Sequence, residues 1–353
     1  MKKKVLLIPL ALLLAMSLVV TGCAAPAPAP VKPIELSWTI PWPVVHFVNS
    51  TQIPAWVADL EERTEGRVKI TLHHGGTLIG ATETYAGVVD GIADIGLSCF
   101  SYTPGRFPQM MLVELPGLGY NNAVVNSLVA TEIYMKFKPA ELDEVKVLNI
   151  HSLSPGVLIT KSPVRTLEDL KGMEIRSPGA ITTTLLEQLG ATPIGMPMPE
   201  SYLSLQKGIV KGIVNPMSTL VDWKIAEVTS YITMIHLYNL MFFVVMNLDT
   251  WNALPPDIQK IFDEVSEEQV KKAGGIWDKN EVEDAALVEK EYGMEIIRLS
   301  PEEKARWEEI ITQVRDEKVA EVEAKGLPAR EVFDEILRLV EKYNKLYPHV
   351  AGM

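Results

Sequence analysis

Apolar and polar positions along this chain change period several times, and each change marks an element. Residues 34–40 alternate strictly (Ile-Glu-Leu-Ser-Trp-Thr-Ile), the period of a strand with one face buried. Pro41-Trp42-Pro43 stops it. A helix is expected over 48–64, a strand over 68–72, a loop at His73-His74-Gly75-Gly76, a helix over 82–90 and a buried strand over 93–97. Strands alternating with helices predict an α/β unit with a largely parallel sheet. The same grammar returns downstream. Strands are expected at 145–151, 157–160, 173–176, 192–196, 213–214, 232–235 and 241–246, with helices at 167–172, after Ser177-Pro178-Gly179 up to Leu189, and at 201–207. Two α/β units joined by crossing connections follow from this order.

From Pro256 the pattern turns helical and charged, with Ile258, Ile261, Phe262 and Val265 at helical spacing. It persists to about Tyr292. A single rod of that length measures roughly 55 Å at 1.5 Å per residue, longer than one small domain. Gly274-Gly275 near its middle is expected to permit a bend. A strand over 294–299 and helices over 301–325 and 328–347 complete the chain.

The N-terminus reads differently. Lys2, Lys3 and Lys4 precede an apolar run from Val5 to Val20, which ends in Thr21, Gly22 and Cys23. A basic head, a short apolar core and small residues before a processing point predict a secretory signal over residues 1–22. Val20-Thr21-Gly22-Cys23 resembles the bacterial lipobox, which implies lipid on Cys23 and a membrane-anchored, extracytoplasmic protein. The Ala/Pro segment that follows favours an extended chain, and residues 23–33 are read as a tether.

About 320 residues remain, enough for two domains. Composition is 47% apolar and 22% charged, ordinary for a globular protein. The formal charge of −12 argues against nucleic acid or an anionic membrane face as partner. With Cys23 assigned to lipid, Cys99 has no partner; no disulfide is expected, and Cys99 reads as a small core residue.

No nucleophile elbow, H-E-x-x-H, C-x-x-C or phosphate-cradling loop is present. Neighbouring His73 and His74 point in different directions on either regular element, so no metal site is expected from them. Arg176 is the residue with chemical promise. It ends a predicted strand, and Ser177-Pro178-Gly179 opens a helix just after it. Ligands of open α/β sheets bind outside the carboxyl ends of strands, a helix N-terminus there favours an anion, and a guanidinium can grip a carboxylate through two parallel hydrogen bonds. A structural ion pair is the alternative role for this arginine.

Four segments, in order, carry a resemblance. They are His74-Gly75-Gly76 with Gly91 and Ala93-Asp94-Ile95-Gly96; Ser162-Pro163-Val164-Arg165-Thr166-Leu167-Glu168-Asp169-Leu170-Lys171-Gly172-Met173-Glu174-Ile175-Arg176-Ser177-Pro178-Gly179; Glu200 through Pro216, with Tyr202, Leu205-Gln206, Gly208 and Asn215-Pro216; and Tyr231-Ile232-Thr233, His236, Trp251 and Leu254-Pro255. Together they resemble solute-binding proteins of TRAP (tripartite ATP-independent periplasmic) transporters. Lys211 departs from the pattern, which commonly has aspartate there.

The resemblance implies a two-lobe periplasmic-binding-protein-like α/β fold with crossing hinge strands and a long helix spanning both lobes. The implied boundaries are 34–153 with 243–285 for the first lobe and 154–242 with 286–350 for the second. It implies capture of an organic acid, with delivery to membrane permease subunits driven by an ion gradient. Arg176 would bind the ligand carboxylate and Asn215 would supply a polar contact. Trp42, His46 and Phe47 after the first strand, Phe100, Tyr102 and Arg106 after the third, and Met217 and Trp223 after Asn215 would line the cleft and suit an acid with an apolar or aromatic body. Arg106 could grip a second carboxylate or anchor its loop. Hinges are expected near 152–156 and 240–243. No enzymatic activity, cofactor or metal is expected; the alternatives are a binding protein of an ATP-driven importer or a surface-anchored enzyme acting on small acids.

Overall fold

The structure is a computed structural model and describes residues 32–348. The expected signal segment and Cys23 lie outside the described residues. Two sheets form the frame. The first takes β1 (Ile34–Thr39), β2 (Val68–His73), β3 (Ile95–Cys99) and β4 (Val145–Ser152). The chain then crosses through residues 153–155 into the second sheet, which holds β5 (Gly156–Thr160), β6 (Glu174–Ser177), β7 (Thr192–Gly195), β8 (Gly212–Asn215) and β9 (Tyr231–Tyr238). It returns through residues 239–240 to β10 (Met241–Asn247) in the first sheet and later adds β11 (Glu295–Ile297) to the second. Strand orders are β2-β1-β3-β10-β4 and β11-β9-β5-β8-β6-β7. Each sheet is parallel where helices supply the crossovers. Strands β10 and β5, which follow the crossings, run antiparallel to both neighbours.

β10 reads Met-Phe-Phe-Val-Val-Met-Asn and is buried at every position, as expected of a strand covered on both faces. β3 starts two residues later than its apolar run suggests. Asp94 turns its carboxylate back to accept from the Ser37 N–H at 2.7 Å and the Ser37 hydroxyl at 2.8 Å, so the ladder begins after it. The shift brings Ser98 and Cys99 to the strand's carboxyl end.

The helix Pro256–Tyr292 runs unbroken for 37 residues and touches both lobes. Gly274 serves close packing. A Cβ there would stand 2.8 Å from the Val124 Cα and 2.9 Å from the Ala123 carbonyl. One turn later, Asp278 accepts from the Ala123 N–H at 2.6 Å and the Val124 N–H at 3.1 Å, so the long helix caps the helix Ala123–Phe137. That second helix has no signal in the hydrophobic pattern. Ala123-Val124-Val125-Asn126-Ser127-Leu128-Val129 shows no amphipathic stripe because the helix is packed on several sides.

One boundary is corrected. Residues 329–346 were expected in the second lobe, but the helix Ala329–Leu346 packs on the helix Ala123–Phe137 of the first. Val332, Ile336 and Leu339 join the core of Val125, Val129 and Ile133. Its sharply amphipathic stripe required an apolar partner face, and that face belongs to the helix the pattern hides. The helix Pro301–Ala324 bridges, packing on both the helix Ala180–Gln188 and this last helix.

Candidate functional site

The carboxyl ends of β1, β3, β6 and β8 meet the start of β10 and the middle of the long helix around one small cavity of about 30 Å³. Arg176, the third residue of β6, reaches into it and is 1% exposed. Its Nε donates to the Met196 carbonyl at 3.0 Å, Nη1 to Asn215 Oδ1 at 3.1 Å and Nη2 to the Tyr102 hydroxyl at 3.4 Å. All three partners are neutral, and among the described residues no carboxylate lies within ion-pair distance. Two of the five guanidinium N–H groups are left over. A buried cation without a counter-charge costs several kcal/mol, so the arrangement favours an incoming anion.

Asn215 is held from both ends. Its Oδ1 also accepts from the Tyr238 hydroxyl at 3.1 Å, and its Nδ2 donates to Thr219 Oγ1 at 2.8 Å. Its amide is therefore occupied in orienting the guanidinium. The Tyr102 hydroxyl accepts from Arg176 and from the Met198 N–H at 2.9 Å, which leaves its own proton to donate. Burial pushes this phenol up to about 12, so it stays protonated at neutral pH. Burial likewise pushes the Cys99 thiol well up.

Aromatic rings make the opposite wall. Trp42 and Phe47 stack on His46 with centroids 5.4 Å and 4.6 Å away. Trp277 stacks on Phe242 at 5.6 Å, and Trp42 meets Phe242 edge-on at 4.9 Å. His46 is wholly buried and burial lowers its pKa to about 3, so the ring is neutral. Besides the Arg176–Tyr102 bond, two contacts latch the lobes over the cavity: Tyr102 to Met198, and Asp222 Oδ2, which accepts from the Phe47 N–H at 2.8 Å.

Among the residues singled out in the sequence, Trp42, His46, Tyr102, Arg176, Asn215 and Trp223 all line this cavity. Phe47 stands one layer behind, edge-on to Trp277 at 4.7 Å. Met217 does not reach it. Its side chain lies in the second lobe's core with Val157 and Ile213, and its N–H donates to Glu281 at 3.1 Å. The turn after Pro216 breaks the strand alternation that would have aimed Met217 inward.

Arg106 pairs with Glu144 and lies over the Tyr85 ring at 4.8 Å, which makes it a loop anchor. Phe100 packs between Phe107 and Phe243 in the first lobe. The start of the helix Ala180–Gln188 also stands apart. Gly179 sits against Ser101, where a Cβ would come within 2.7 Å of the serine Cβ, so that helix offers no amide to the anion site. Trp277, Tyr238, Phe242 and Thr219 also line it and were not anticipated, and Cys99, Leu153, Met198 and Leu240 complete the lining. For Trp277 a signal existed: a lone tryptophan in a stretch otherwise dominated by charge.

The comparisons with known proteins agree with this two-lobe fold. Residues 48–321 match the family model DctP, bacterial extracellular solute-binding protein, family 7. The chain is 29% identical over 283 residues to the 2,3-diketo-L-gulonate-binding periplasmic protein YiaO of Escherichia coli (strain K12), covering 78% of this chain and 84% of that protein. It is similar to the crystal structure of a TRAP periplasmic solute-binding protein from Desulfovibrio salexigens DSM2638, at 34% identity and a TM-score of 0.78, covering 88% of this chain and 97% of that one. It is also similar to a marine metagenome TRAP solute-binding protein specific for aromatic acid ligands, solved with metahydroxyphenylacetate, at 28% identity and a TM-score of 0.84, covering 88% and 99%. This chain belongs to the DctP family of bacterial extracellular solute-binding proteins and is a TRAP-type periplasmic solute-binding protein.

Proposed function

We propose that this protein captures an organic acid by its carboxylate on Arg176, encloses an apolar or aromatic body between the lobes, and releases it unchanged to the permease subunits of a TRAP transporter. The observation that carries the reading is the guanidinium itself, 1% exposed and bonded only to neutral groups. Its two remaining N–H groups and the Tyr102 proton form a donor set for one carboxylate. Trp42, His46, Phe242 and Trp277 supply flat apolar surface for the remainder of the ligand. The similar metagenome protein specific for aromatic acids is consistent with such walls. The crossings at residues 153–155 and 239–240 are the hinges on which the lobes would part. Lipid on Cys23 would tether the protein to the membrane beside its permease.

Mass spectrometry of the acid released by denaturing the purified protein identifies the ligand. Calorimetry with that acid should then show Arg176→Ala binding two to four decades more weakly, since removing one member of a buried charge pair costs about 3–5 kcal/mol. Arg176→Lys should also bind poorly, because an ammonium lacks the planar fork. Unchanged affinity in the alanine variant would overturn the assignment, and conversion of the acid into a new compound would overturn the claim of capture without chemistry.

A further inference from the structure

Two buried donors on residues that line the cavity have no acceptor among the described residues. The Val48 N–H donates to His46 Nδ1 at 3.2 Å, so Nδ1 presents its lone pair. A neutral imidazole then carries its proton on Nε2, on the far edge of the ring. His46 Nε2 has no partner among the described residues, and neither has Trp277 Nε1. His46 is 0% and Trp277 2% exposed, both line the cavity that holds Arg176, and their ring centroids are 5.9 Å apart. Trp38 and Trp56 also carry unpartnered indole N–H groups, but these pack edge-to-face in the first lobe's core, away from the cavity. Buried donors are normally satisfied, so unsatisfied ones beside a ligand cavity point to the ligand.

Charge narrows what the ligand brings. Arg176 is the one cation lining the cavity among the described residues, and no acidic side chain lines it. A second carboxylate on the ligand would be buried against neutral donors alone, at high desolvation cost. We infer that the cognate ligand is a monocarboxylate whose apolar or aromatic body bears a neutral oxygen, hydroxyl or carbonyl, that accepts hydrogen bonds from His46 Nε2 and Trp277 Nε1. The inference rests on the carboxylate docking at Arg176. It makes His46 and Trp277 specificity residues that separate oxygenated acids from their hydrocarbon counterparts and from dicarboxylates.

The test is calorimetry with pairs matched in size: each hydroxybenzoate isomer against the corresponding toluate, mandelate against 2-phenylpropionate, and phthalate as the dicarboxylate. In the native protein at least one oxygenated acid should bind about tenfold more tightly than its methyl partner, the scale of one or two neutral hydrogen bonds, and phthalate should bind worst. His46→Phe and Trp277→Phe should each erode that preference by weakening only the oxygenated acid. His46→Gln, whose amide nitrogen takes the place of Nε2, should restore it. Thermal melts identify any variant that fails to fold, and the others then carry the comparison. Equal binding across every matched pair, a preference surviving both phenylalanine variants, or tightest binding of phthalate overturns the inference while leaving Arg176 in its role. Failure of every acid to bind overturns both readings together.

Discussion

Asn215 Oδ1 stands 3.1 Å from Arg176 Nη1 and 3.1 Å from the Tyr238 hydroxyl, so one amide oxygen fixes the guanidinium from the carboxyl end of the neighbouring strand. The partner is neutral, and that is the point of the arrangement. A neutral acceptor orients the cation without cancelling its charge. Asn215→Asp keeps the shape and supplies the missing counter-charge from within. The internal carboxylate would then compete with the ligand's. The variant should lose at least about 100-fold in affinity for the native acid while its unliganded melting temperature holds or rises. Calorimetry and thermal melts check the two halves; full affinity in Asn215→Asp would show that the guanidinium does not depend on an uncompensated charge.

Gly274 and Gly275 are adjacent in the long helix yet have opposite surroundings. A Cβ on Gly274 meets the backbone of Val124 at 2.8–2.9 Å, whereas a Cβ on Gly275 meets nothing within 4 Å. Gly274→Ala should therefore destabilise by roughly 1–3 kcal/mol, since backbone cannot yield as a side chain can. It also pulls Asp278 away from the amides it caps. Gly275→Ala should stabilise by about 0.5–1 kcal/mol through helix propensity alone. Urea unfolding of both variants measures the contrast, and equal effects would remove close helix packing as the reason for the first glycine.

The pair also shows where sequence reading stops. A double glycine in a helical pattern suggested a bend, and only the neighbouring helix reveals that one of the two is there for contact. That neighbour, Ala123–Phe137, was itself invisible, because a helix packed on several sides has no polar face to set a period. Arg176 and Asn215 were legible because each sits at the carboxyl end of a short strand within a recognisable motif. Met217 was misjudged because the turn after Pro216 rotates it into the core. Trp277 comes from the middle of the long helix and Tyr238 and Phe242 from either side of the return crossing, and nothing local announces that they converge on the ends of β1, β3, β6 and β8.

Asp222 and Phe47 join the lobes through a side chain on one and a backbone amide on the other. The acid is half-buried, and desolvation raises its pKa. Replacing it by alanine leaves the guanidinium and the aromatic wall intact but removes one of the two latches. Ligand dissociation should speed up by about three- to tenfold, the value of one charge-assisted bond at a partly wet edge, with association little changed. Stopped-flow tryptophan fluorescence reads this directly, because Trp42 and Trp277 line the cavity. Slower association at constant dissociation would point instead to a role in the encounter.

His151 offers a test of burial that is independent of ligand. It sits in β4, its Nδ1 is 2.8 Å from Asn149 Oδ1, and its ring lies 5.2 Å from Phe242. Burial lowers its pKa from 6.5 to about 3. Below pH 6.5 the unfolded chain takes up a proton that the folded protein refuses until about pH 3. The unfolded state therefore binds more protons in that window, and stability from this residue is complete above pH 6.5 and declines as pH falls, by about 1.4 kcal/mol per unit. Glu114 and Glu281 act in the opposite sense, since burial raises both to about 7 and the folded state holds their protons between pH 7 and 4.5. The slope for the native protein sums these terms with those of the other shifted groups, His46 and Asp284 among them. The difference between native protein and His151→Asn isolates the histidine, because the carboxyl groups are common to both. The stability advantage of the native protein should shrink by about 1.4 kcal/mol per unit between pH 6 and pH 4.5. Urea titrations at four pH values suffice, and parallel pH curves for the two proteins would mean that His151 is not held neutral by the fold.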